Sequence, residues 1–432
     1  MSASYTTILP AAGRLMTSLR DIGYDLPSAI ADLVDNAIDA NARTVSVEIV
    51  ADGEESWVRV CDDGLGMTPK ALDEAMRYGS ETDYRPDSLG HFGLGLKTAS
   101  LSQCRRLTVA SRSGRAGRLS VRRWDLDDIL RRNSWDLERI PAGKAPRAVA
   151  EPLTGRRGSV VLWERLDRVL PRKPTAGMTA RVIRTAIEDV REHLAMVFHR
   201  FIDGQAFDGR QHLELTVNGE RVEAWDPFAR AEDHTRALPP QSISFDDSEA
   251  GRITVEVQPF VLPGQNLFSS PEAHRRTGGP KRWNRHQGFY IYRRDRLIQA
   301  GGWNRLRTLD EHAKLARIAV DLPPAQEERF SVDVAKMKVS IPEELRGELR
   351  AIASAAVAVA QERYRDHLDS NLAVVEPLVR PTPEAISISR DWPAIMAVVD
   401  EVLGDDPQLR DRLLLRLANA DSEDTDLVAR SA

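Results

Sequence analysis

The chain has 432 residues, of which 42% are hydrophobic and 29% are charged, with 27 Gly and 24 Pro. This composition excludes a disordered or low-complexity protein, and the length predicts two or three domains with cores of their own. The 60 Lys and Arg residues are balanced by 65 Asp and Glu residues, and the net charge of −5 argues against a protein that coats nucleic acid non-specifically.

The predicted elements of the first half are amphipathic helices and short strands. Apolar residues recur with helical spacing over 27–40, and Thr44–Val50 alternates as a strand that pairs with 57–61. The segment 78–95 is polar and Gly-rich, and its length predicts a functional lid. The other predicted helices are 68–75, 96–104 and 179–201, and the other predicted strands are 106–111, 118–123 and 159–163.

A second hairpin, predicted at 213–222 around Asn218-Gly219, opens a β-rich region. Its further predicted elements are strands at 253–260, 289–293 and 317–321, a loop at 268–286 and short and long helices at 311–316 and 342–366. A helical piece at 392–417 and an acidic tail that we expect to be disordered complete the chain. The predicted domains are 1–205, 206–345 and 346–432.

Several classes of protein are excluded by what the sequence lacks. Cys61 and Cys104 cannot build a disulfide framework, and no Cys or His spacing is typical of a metal site. No apolar run approaches the roughly 18 residues of a membrane span, and the first residues do not resemble a secretory signal. We therefore expect a cytoplasmic protein that is not in a membrane.

Two acidic segments are the first candidates for chemistry. Asp32 and Asn36 lie one turn apart on the first predicted helix, where a carboxylate and an amide suit a divalent cation and a positioned water. The segment Asp62-Asp63-Gly64-Leu65-Gly66-Met67 follows a strand, and its glycines permit the close approach of a flat ligand. Taken separately, the two segments are better explained by a solvated helix face and an ordinary Asp-Gly turn.

The third candidate is the glycine-rich segment Gly90-His91-Phe92-Gly93-Leu94-Gly95-Leu96-Lys97-Thr98, which enters a predicted helix. Free backbone amides at a helix N-terminus favour an anion, and Lys97 and Thr98 add a cation and a hydroxyl. The spacing matches neither a P-loop nor a dinucleotide fingerprint, because Leu96 separates the last glycine from Lys97 and the glycines run G-x-x-G-x-G.

In this order and spacing, the three segments resemble the motifs of the GHKL, or Bergerat-fold, ATPase superfamily. Gly158-Ser159 resembles the late Gly-Thr element of that superfamily, with Ser in place of Thr. The resemblance covers about residues 8–345. It implies an α/β fold, an α+β two-layer sandwich, followed by a β-rich transducer domain with a ribosomal-protein-like fold and left-handed crossover, and a helical C-terminal region.

The resemblance also implies a role for each matching residue. Asn36 would bind Mg²⁺, Asp62 would accept a hydrogen bond from the adenine amino group, and Ser159 would support a neighbouring water. The base pocket would be lined by Gly64, Gly66 and Met67. The residues that would wrap the ATP phosphates are Gly90, Gly93, Gly95, Leu96, Lys97 and Thr98.

Asp32 occupies the position at which many hydrolysing members have Glu as general base. Asp is one methylene shorter, so its carboxylate would sit about 1.5 Å farther from the attacking water. We therefore expect slow hydrolysis. A histidine kinase is disfavoured, because no helix with a phospho-acceptor His precedes the first motif.

The second half resembles MORC-like and MutL-like members. The run Tyr292-Arg293-Arg294-Asp295-Arg296-Leu297-Ile298 is similar to a transducer pattern, YRN-x-RLI. Lys336 falls where such proteins place a lysine that reaches the γ-phosphate, with Lys338 as the alternative and a solvated turn cation as the plain interpretation of either. A cation delivered from a second domain would stabilise charge in phosphoryl transfer.

A basic segment at 275–286 is a candidate surface for the phosphates of duplex DNA, although a solvated loop folded against acidic surface is the slightly favoured explanation. Its basic and aromatic residues are Arg275, Arg276, Lys281, Arg282, Trp283, Arg285 and His286. Trp283 and Trp303 are candidates for base stacking, with burial as the alternative.

Three classes of function remain: an ATP-gated homodimeric clamp on DNA, a chaperone-like ATPase acting on protein clients, and a nucleotide-binding module without turnover. The C-terminal helices are a candidate surface for a protein partner.

Overall fold

The computed structural model describes residues 10–21, 23–79, 89, 95–114, 117–170, 175–206, 212–247, 251–280, 282–323, 330 and 339–374. Almost all of them belong to one compact unit, Met1–Asp369. The predicted helical piece at 392–417 and the acidic tail lie outside the described residues. Within the described ranges, no helix combines the length and the apolar character that crossing a bilayer requires.

The first half of the chain builds an eight-stranded sheet with the order β5-β4-β3-β6-β2-β1-β7-β8. Neighbours are antiparallel except β1 and β7, which are parallel. The strands are β1 (Thr44–Val50), β2 (Trp57–Asp62), β3 (Arg106–Arg112), β4 (Ser120–Asp125), β5 (Glu138–Ile140), β6 (Gly158–Glu164), β7 (Glu214–Val217) and β8 (Glu220–Arg221).

Helices pack on this sheet around a core that α2 dominates. The described helices are α1 (Ala12–Arg20), α2 (Leu26–Asp39), α3 (Pro69–Ala75), α4 (Gly95–Gln103), α5 (Leu126–Arg132), α6 (Arg147–Ala150), α7 (Ala176–Val197) and α8 (His199–Ile202). Helix α2 begins as the sequence predicts, with Pro27 in its first turn and the Asp25 side chain accepting a hydrogen bond from the amide of Ser28. Its apolar stripe, which includes Ile30, Val34 and Ala37, is buried.

The second half of the unit builds a six-stranded sheet. Its strand order is β10-β11-β14-β12-β13, with β9 also paired to β11, and β12 is parallel to β14. The strands are β9 (Arg236–Ala237), β10 (Gln241–Asp247), β11 (Gly251–Val261), β12 (Gly288–Arg293), β13 (Arg296–Ala300) and β14 (Ala316–Leu322). The helices are α9 (Pro271–Gly278), α10 (Arg282–Arg285) and α11 (Glu343–Val374).

Four predicted elements differ from the structure. The helix predicted at 311–316 is only a 3-10 turn, Glu311–Ala313, and Ala316 already begins β14. The hairpin at 213–222 joins the first sheet, beyond the predicted boundary at residue 205, because β7 pairs in parallel with β1. The Asn218 side chain adds bonds to the amide and the carbonyl of Ile49. The predicted loop at 268–286 contains α9 and α10, since Ser270 caps the amide of Ala273 and Pro271 begins α9. The helix predicted at 179–201 is two helices, α7 and α8, which are separated at the buried Phe198.

Candidate functional site

Asp62 lies where the ends of two neighbouring strands of the first sheet meet. It is the last residue of β2 and pairs with Ser159 of β6. Its Oδ1 accepts a hydrogen bond of 2.9 Å from the amide of Gly64, and the backbone N–H of Ser159 also bonds the carboxylate. Burial raises the pKa of Asp62 to about 6, against these two hydrogen bonds, which favour the ionised form. At neutral pH the group is therefore an ionised acceptor for an amino group.

The glycines after Asp62 permit close contacts between the loop and its surroundings. Gly66 has a φ of +67°, and a Cβ at this position would lie 2.1 Å from the carbonyl oxygen of Arg112. A Cβ on Gly64 would lie 2.8 Å from the carbonyl oxygen of Ala40, just after α2. Neither position accommodates a side chain. The loop, with the partly buried Met67 at its end, is therefore held between α2 and β3.

Ser111 is a residue of this site that sequence reasoning missed. Its hydroxyl accepts from the amide of Met67 at 2.7 Å, donates to the carbonyl of Gly158 at 3.0 Å and lies 2.9 Å from the Ser159 hydroxyl. Ser111 thus joins the second motif to the Gly158-Ser159 element. The available signal was its position at the end of the predicted strand 106–111. Strand alternation alone does not reveal that β3 lies beside β6.

Asp32 is buried on α2, with 3% of its surface exposed. Its Oδ2 accepts a hydrogen bond of 2.7 Å from the Tyr24 hydroxyl, and burial together with the Asp32 charge raises the pKa of Tyr24 above its usual range. A Cβ on Gly95 would lie 3.2 Å from the same carboxylate oxygen. Because Gly95 is the first residue of α4, Asp32 faces a helix start, where amides lack acceptors within the helix. The first and third motifs are in contact.

Two further polar residues of α2 follow Asp32. Asn36, one turn later, is exposed. Asp39 is half-buried, and its Oδ1 accepts a hydrogen bond of 2.8 Å from the amide of Leu89. Leu89 directly precedes the third motif. Helix α2 therefore contacts both Leu89 and Gly95, on either side of residues 90–94.

Helix α4 presents two predicted phosphate ligands in different ways. The Thr98 hydroxyl is buried and has no hydrogen-bond partner among the described residues, so a ligand can satisfy it. The Lys97 ammonium is also buried, where it donates to the carbonyl of Ala75 at 3.0 Å, and burial lowers its pKa to about 8. Leu96 is partly buried against the core of the first sheet. The predicted residues Gly90, Gly93, Lys336 and Lys338 lie outside the described residues.

The donor set fits a magnesium ion only if a ligand supplies most of the coordination. No group of three or more His, Cys, Asp or Glu side chains in the described ranges is arranged to hold a metal ion. Mg²⁺ in nucleotide sites is bound by one or two protein groups together with phosphates and waters. The exposed amide of Asn36 fits that limited role.

The basic segment 275–286 is only partly an exposed surface. Arg275, Arg276 and Arg285 are exposed, although Arg275 pairs with Glu272 and Arg276 donates to the carbonyl of Ala224 at 2.7 Å. Lys281 and the side chain of Arg282 lie outside what the structure describes. Among the residues that the structure describes, this segment therefore exposes three arginines.

The aromatic residues near this segment are packed inward. Trp303 is 2% exposed and donates to Gln287 at 2.9 Å, and His286 is fully buried beside Tyr290. Trp283 is partly buried and stacks on the His274 ring, with 4.7 Å between the ring centroids. The alternative of burial is therefore correct for Trp303, and the Trp283 ring already has a stacking partner within the protein.

Residues 24–153 match the family model described as "Histidine kinase-, DNA gyrase B-, and HSP90-like ATPase". The chain carries a GHKL ATPase domain. The matched range contains the contacts of Asp32 with Tyr24 and Gly95 and those of Asp62 with Gly64. The match and the contacts therefore concern the same residues. A GHKL domain is of the ATP-binding class.

The chain is also similar to segments of longer proteins. It is 34% identical over 87 residues to ATPase morc-1 of Caenorhabditis elegans, which covers 20% of this chain and 10% of that protein. Several DNA mismatch repair proteins MutL also match. The one from Kosmotoga olearia is 50% identical over 50 residues, 12% of this chain and 8% of that protein. The one from Paramagnetospirillum magneticum is 28% identical over 194 residues, 44% of this chain and 29% of that protein. Each alignment spans less than a third of the relative.

Proposed function

We propose that this chain binds ATP with Mg²⁺, hydrolyses it slowly and acts as an ATP-gated homodimeric clamp on DNA. The observation that carries the proposal is the contact between the first and third motifs. The Asp32 carboxylate lies so close to Gly95 that an added Cβ there would be 3.2 Å from it. A carboxylate beside the start of a helix is placed to activate water next to a phosphate that the helix amides hold.

Each residue of the site has a proposed task. Asp62 accepts from the adenine amino group, Ser159 supports a water beside it, and Asn36 holds Mg²⁺. The ion neutralises phosphate charge when bound. Asp32 is the general base. Adenine is lined by Gly64, Gly66 and Met67, and the phosphates by Gly90, Gly93, Gly95, Leu96, Lys97 and Thr98. Lys97 takes part only after leaving the carbonyl of Ala75.

Slow turnover is expected for two reasons. The Asp32 side chain is shorter than Glu, and its Oδ2 already accepts a hydrogen bond from Tyr24. An acceptor that is already bonded is a weaker base toward water. The same observation favours a second candidate function, a nucleotide-binding module without turnover.

We propose the second sheet as a transducer domain that responds to the nucleotide, with Lys336, or alternatively Lys338, reaching the γ-phosphate. The names of the similar proteins, an ATPase and several DNA mismatch repair proteins, support DNA as the clamped substrate. The exposed Arg275, Arg276 and Arg285 are the described positive charges of the proposed DNA surface.

The test is ATP hydrolysis by the full chain, with and without duplex DNA, across a salt series. Stimulation by DNA that fades as salt rises supports the clamp, because phosphate contacts release counterions. Turnover that DNA does not change favours a chaperone-like ATPase, and absent turnover with intact ATP binding favours the nucleotide-binding module. Tight ATP binding by Asp62→Asn would contradict the adenine role, and full turnover by Asp32→Ala would contradict the base.

A further inference from the structure

The hairpin formed by β12 and β13 connects the second sheet to the helices of the first. Just before its turn, the Tyr292 hydroxyl lies 2.9 Å from Nε2 of His199, the first residue of α8. In its turn, Asp295 accepts a hydrogen bond of 3.1 Å from Arg200 of α8. Both Tyr292 and Asp295 are buried. The hairpin is therefore anchored to α8 both before and within its turn, and these contacts place the residue that follows the turn.

Arg296, directly after this turn, reaches helix α2. Its Nε donates to Oδ1 of Asp35 at 2.8 Å, and its Nη2 lies 3.9 Å from Oδ1 of Asp32. The three side chains are 2%, 1% and 3% exposed, respectively. Water screens charges little at such burial, so the guanidinium acts strongly on both carboxylates.

The geometry divides the two oxygens of Asp32 between two sides. Oδ2 faces the Tyr24 hydroxyl and the start of α4, while Oδ1 faces Arg296. A guanidinium is planar and rigid, so the bond from its Nε to Asp35 fixes where its Nη2 points. Asp35 therefore anchors Arg296, and Arg296 restricts the rotation of the Asp32 carboxylate.

We propose that Arg296 is a positioning residue for Asp32, through which the second sheet sets the orientation of the catalytic carboxylate. This inference rests on the proposed role of Asp32 as general base. The short Asp side chain makes orientation important, because misplacement of a base by about 1 Å costs on the order of 100-fold in rate. We expect Arg296 to affect kcat and not the affinity for ATP, because it lies beside the Asp32 carboxylate and has no proposed contact with ATP.

The experiment compares Arg296→Met, Arg296→Lys and Asp35→Asn with the wild-type chain. We expect Arg296→Met to lower kcat by about 10- to 100-fold, with the dissociation constant for a non-hydrolysable ATP analogue within about 3-fold of wild type. Arg296→Lys restores the charge without the planar fork, so it should recover part of the lost kcat. Asp35→Asn weakens the anchor and should also lower kcat without weakening analogue binding.

Arg317→Met is the matched control for loss of a buried arginine. Arg317 lies in β14 of the same sheet, is fully buried, and donates to the carbonyls of Pro227 and Thr277 at 2.6 and 2.9 Å. We expect this variant to lower the thermal midpoint while kcat per folded molecule in the absence of DNA stays within about 2-fold. An equal loss of kcat in Arg317→Met and Arg296→Met would overturn the positioning role.

The remaining outcomes separate the inference from the function on which it rests. If Asp32→Asn is inactive and Arg296→Met keeps wild-type kcat, Arg296 does not position the base and the proposed function stands. If Asp32→Asn keeps wild-type turnover, the proposed role of Asp32 as general base is wrong, and the inference that rests on it is wrong as well. If Arg296→Met does not fold, wild-type kcat in both Arg296→Lys and Asp35→Asn would overturn the inference, and reduced kcat with intact analogue binding in both would support it.

Discussion

The carboxyl group of Asp62 titrates near pH 6, because burial at the ends of β2 and β6 outweighs the two backbone hydrogen bonds that it accepts. At pH 5 only about a tenth of such groups are ionised. If the adenine amino group donates to this carboxylate, protonation removes the charged acceptor. We expect the ATP dissociation constant of the wild-type chain, relative to that of Asp62→Asn, to rise about 5- to 10-fold between pH 7 and pH 5 in titration calorimetry.

The folded state without nucleotide should respond to pH in the opposite direction. The pKa of Asp62 is raised from 3.8 when unfolded to about 6 when folded, so the folded state binds the proton more tightly. Its contribution to the free energy of unfolding therefore grows as pH falls from about 6 to about 4. Asp62→Asn should lack this part of the pH dependence. If the ratio of the ATP dissociation constants of the wild-type chain and Asp62→Asn does not change with pH, the Asp62 carboxylate does not bind adenine.

Thr98 provides a second test at the scale of one side chain. Its buried hydroxyl has no partner among the described residues, so Thr98→Val should leave the free energy of unfolding unchanged or raise it slightly. If the hydroxyl contacts a phosphate of ATP, the same variant should bind ATP about 5- to 10-fold more weakly. Chemical denaturation and calorimetry measure the two effects.

Ser100→Ala is the control for Thr98→Val. The Ser100 hydroxyl is also buried on α4 and has no hydrogen-bond partner in the described part of the chain, but it has no proposed contact with ATP. ATP affinity should be unchanged in this variant. Equal ATP affinities for Thr98→Val and the wild-type chain would contradict the phosphate contact.

At the scale of strands, Gly158 permits the close approach of β6 to the end of β2. It has a φ of +133°, and an added Cβ would lie 2.0 Å from the carbonyl oxygen of Asp62. We expect Gly158→Ala to lower the free energy of unfolding by at least about 2 kcal/mol and to weaken ATP binding, because the strand ends must separate. Gly155→Ala is the control, since Gly155 has a φ of +67° but no atom within 4 Å of an added Cβ, and about 1 kcal/mol is expected. Equal losses of unfolding free energy in Gly158→Ala and Gly155→Ala would mean that backbone strain accounts for the whole effect and that the contact with Asp62 adds nothing.

The elements that the sequence predicts well are those with local signals. The helix 27–40 and the strand Thr44–Val50 have clear periodicity and differ from the structure by at most one residue at each end. The helix α9 was missed although Ser270-Pro271 is a common helix start, because the polar composition of 268–286 favoured a loop. The place of the 213–222 hairpin in the first sheet depends on the parallel pairing of β7 with β1, a contact between residues far apart in sequence.

The candidate site divides in the same way. The motif residues Asp32, Asp62 and Gly95 could be found from sequence, because their spacing along the chain is distinctive. Ser111 and Tyr24 could not, since each contacts the site only through the folded arrangement of strands and helices. Arg296 was singled out as part of a transducer pattern, but its contact with α2 is a property of the assembled sheets.

At the scale of the whole molecule, the two sheets are joined by a buried ion pair. Arg200 of α8 bonds Asp295 of the hairpin and Asp321 of β14, and its guanidinium lies 3.6 Å from the centre of the Tyr292 ring. Removing one partner of a buried pair leaves charge without compensation. We expect Arg200→Met to lower the free energy of unfolding by about 3 kcal/mol, measured by chemical denaturation.

Arg191→Met is the comparison for a surface ion pair. Arg191 bonds Glu220 at 2.7 Å, with 35% and 69% of the two side chains exposed. Such a pair contributes less than about 1 kcal/mol. A loss in Arg200→Met that is no larger than the loss in Arg191→Met would show that the buried ion pair contributes little to the joining of the two sheets.

Leu89 has a consequence for the direction in which the molecule can transmit a signal. Its amide donates to Asp39 of the first sheet's helix α2, and its carbonyl accepts a hydrogen bond of 2.6 Å from Arg293 of the second sheet. One peptide segment therefore contacts both a helix of the first sheet and a strand of the second. Thermodynamic linkage then requires one coupling free energy in both directions. A ligand of the first sheet that strengthens these contacts stabilises the docking of the second sheet, and a change in that docking alters the affinity for the ligand by the same free energy. If the first sheet binds ATP as proposed, a partner that bound only the second sheet and shifted Arg293 would alter the affinity for ATP without touching the nucleotide.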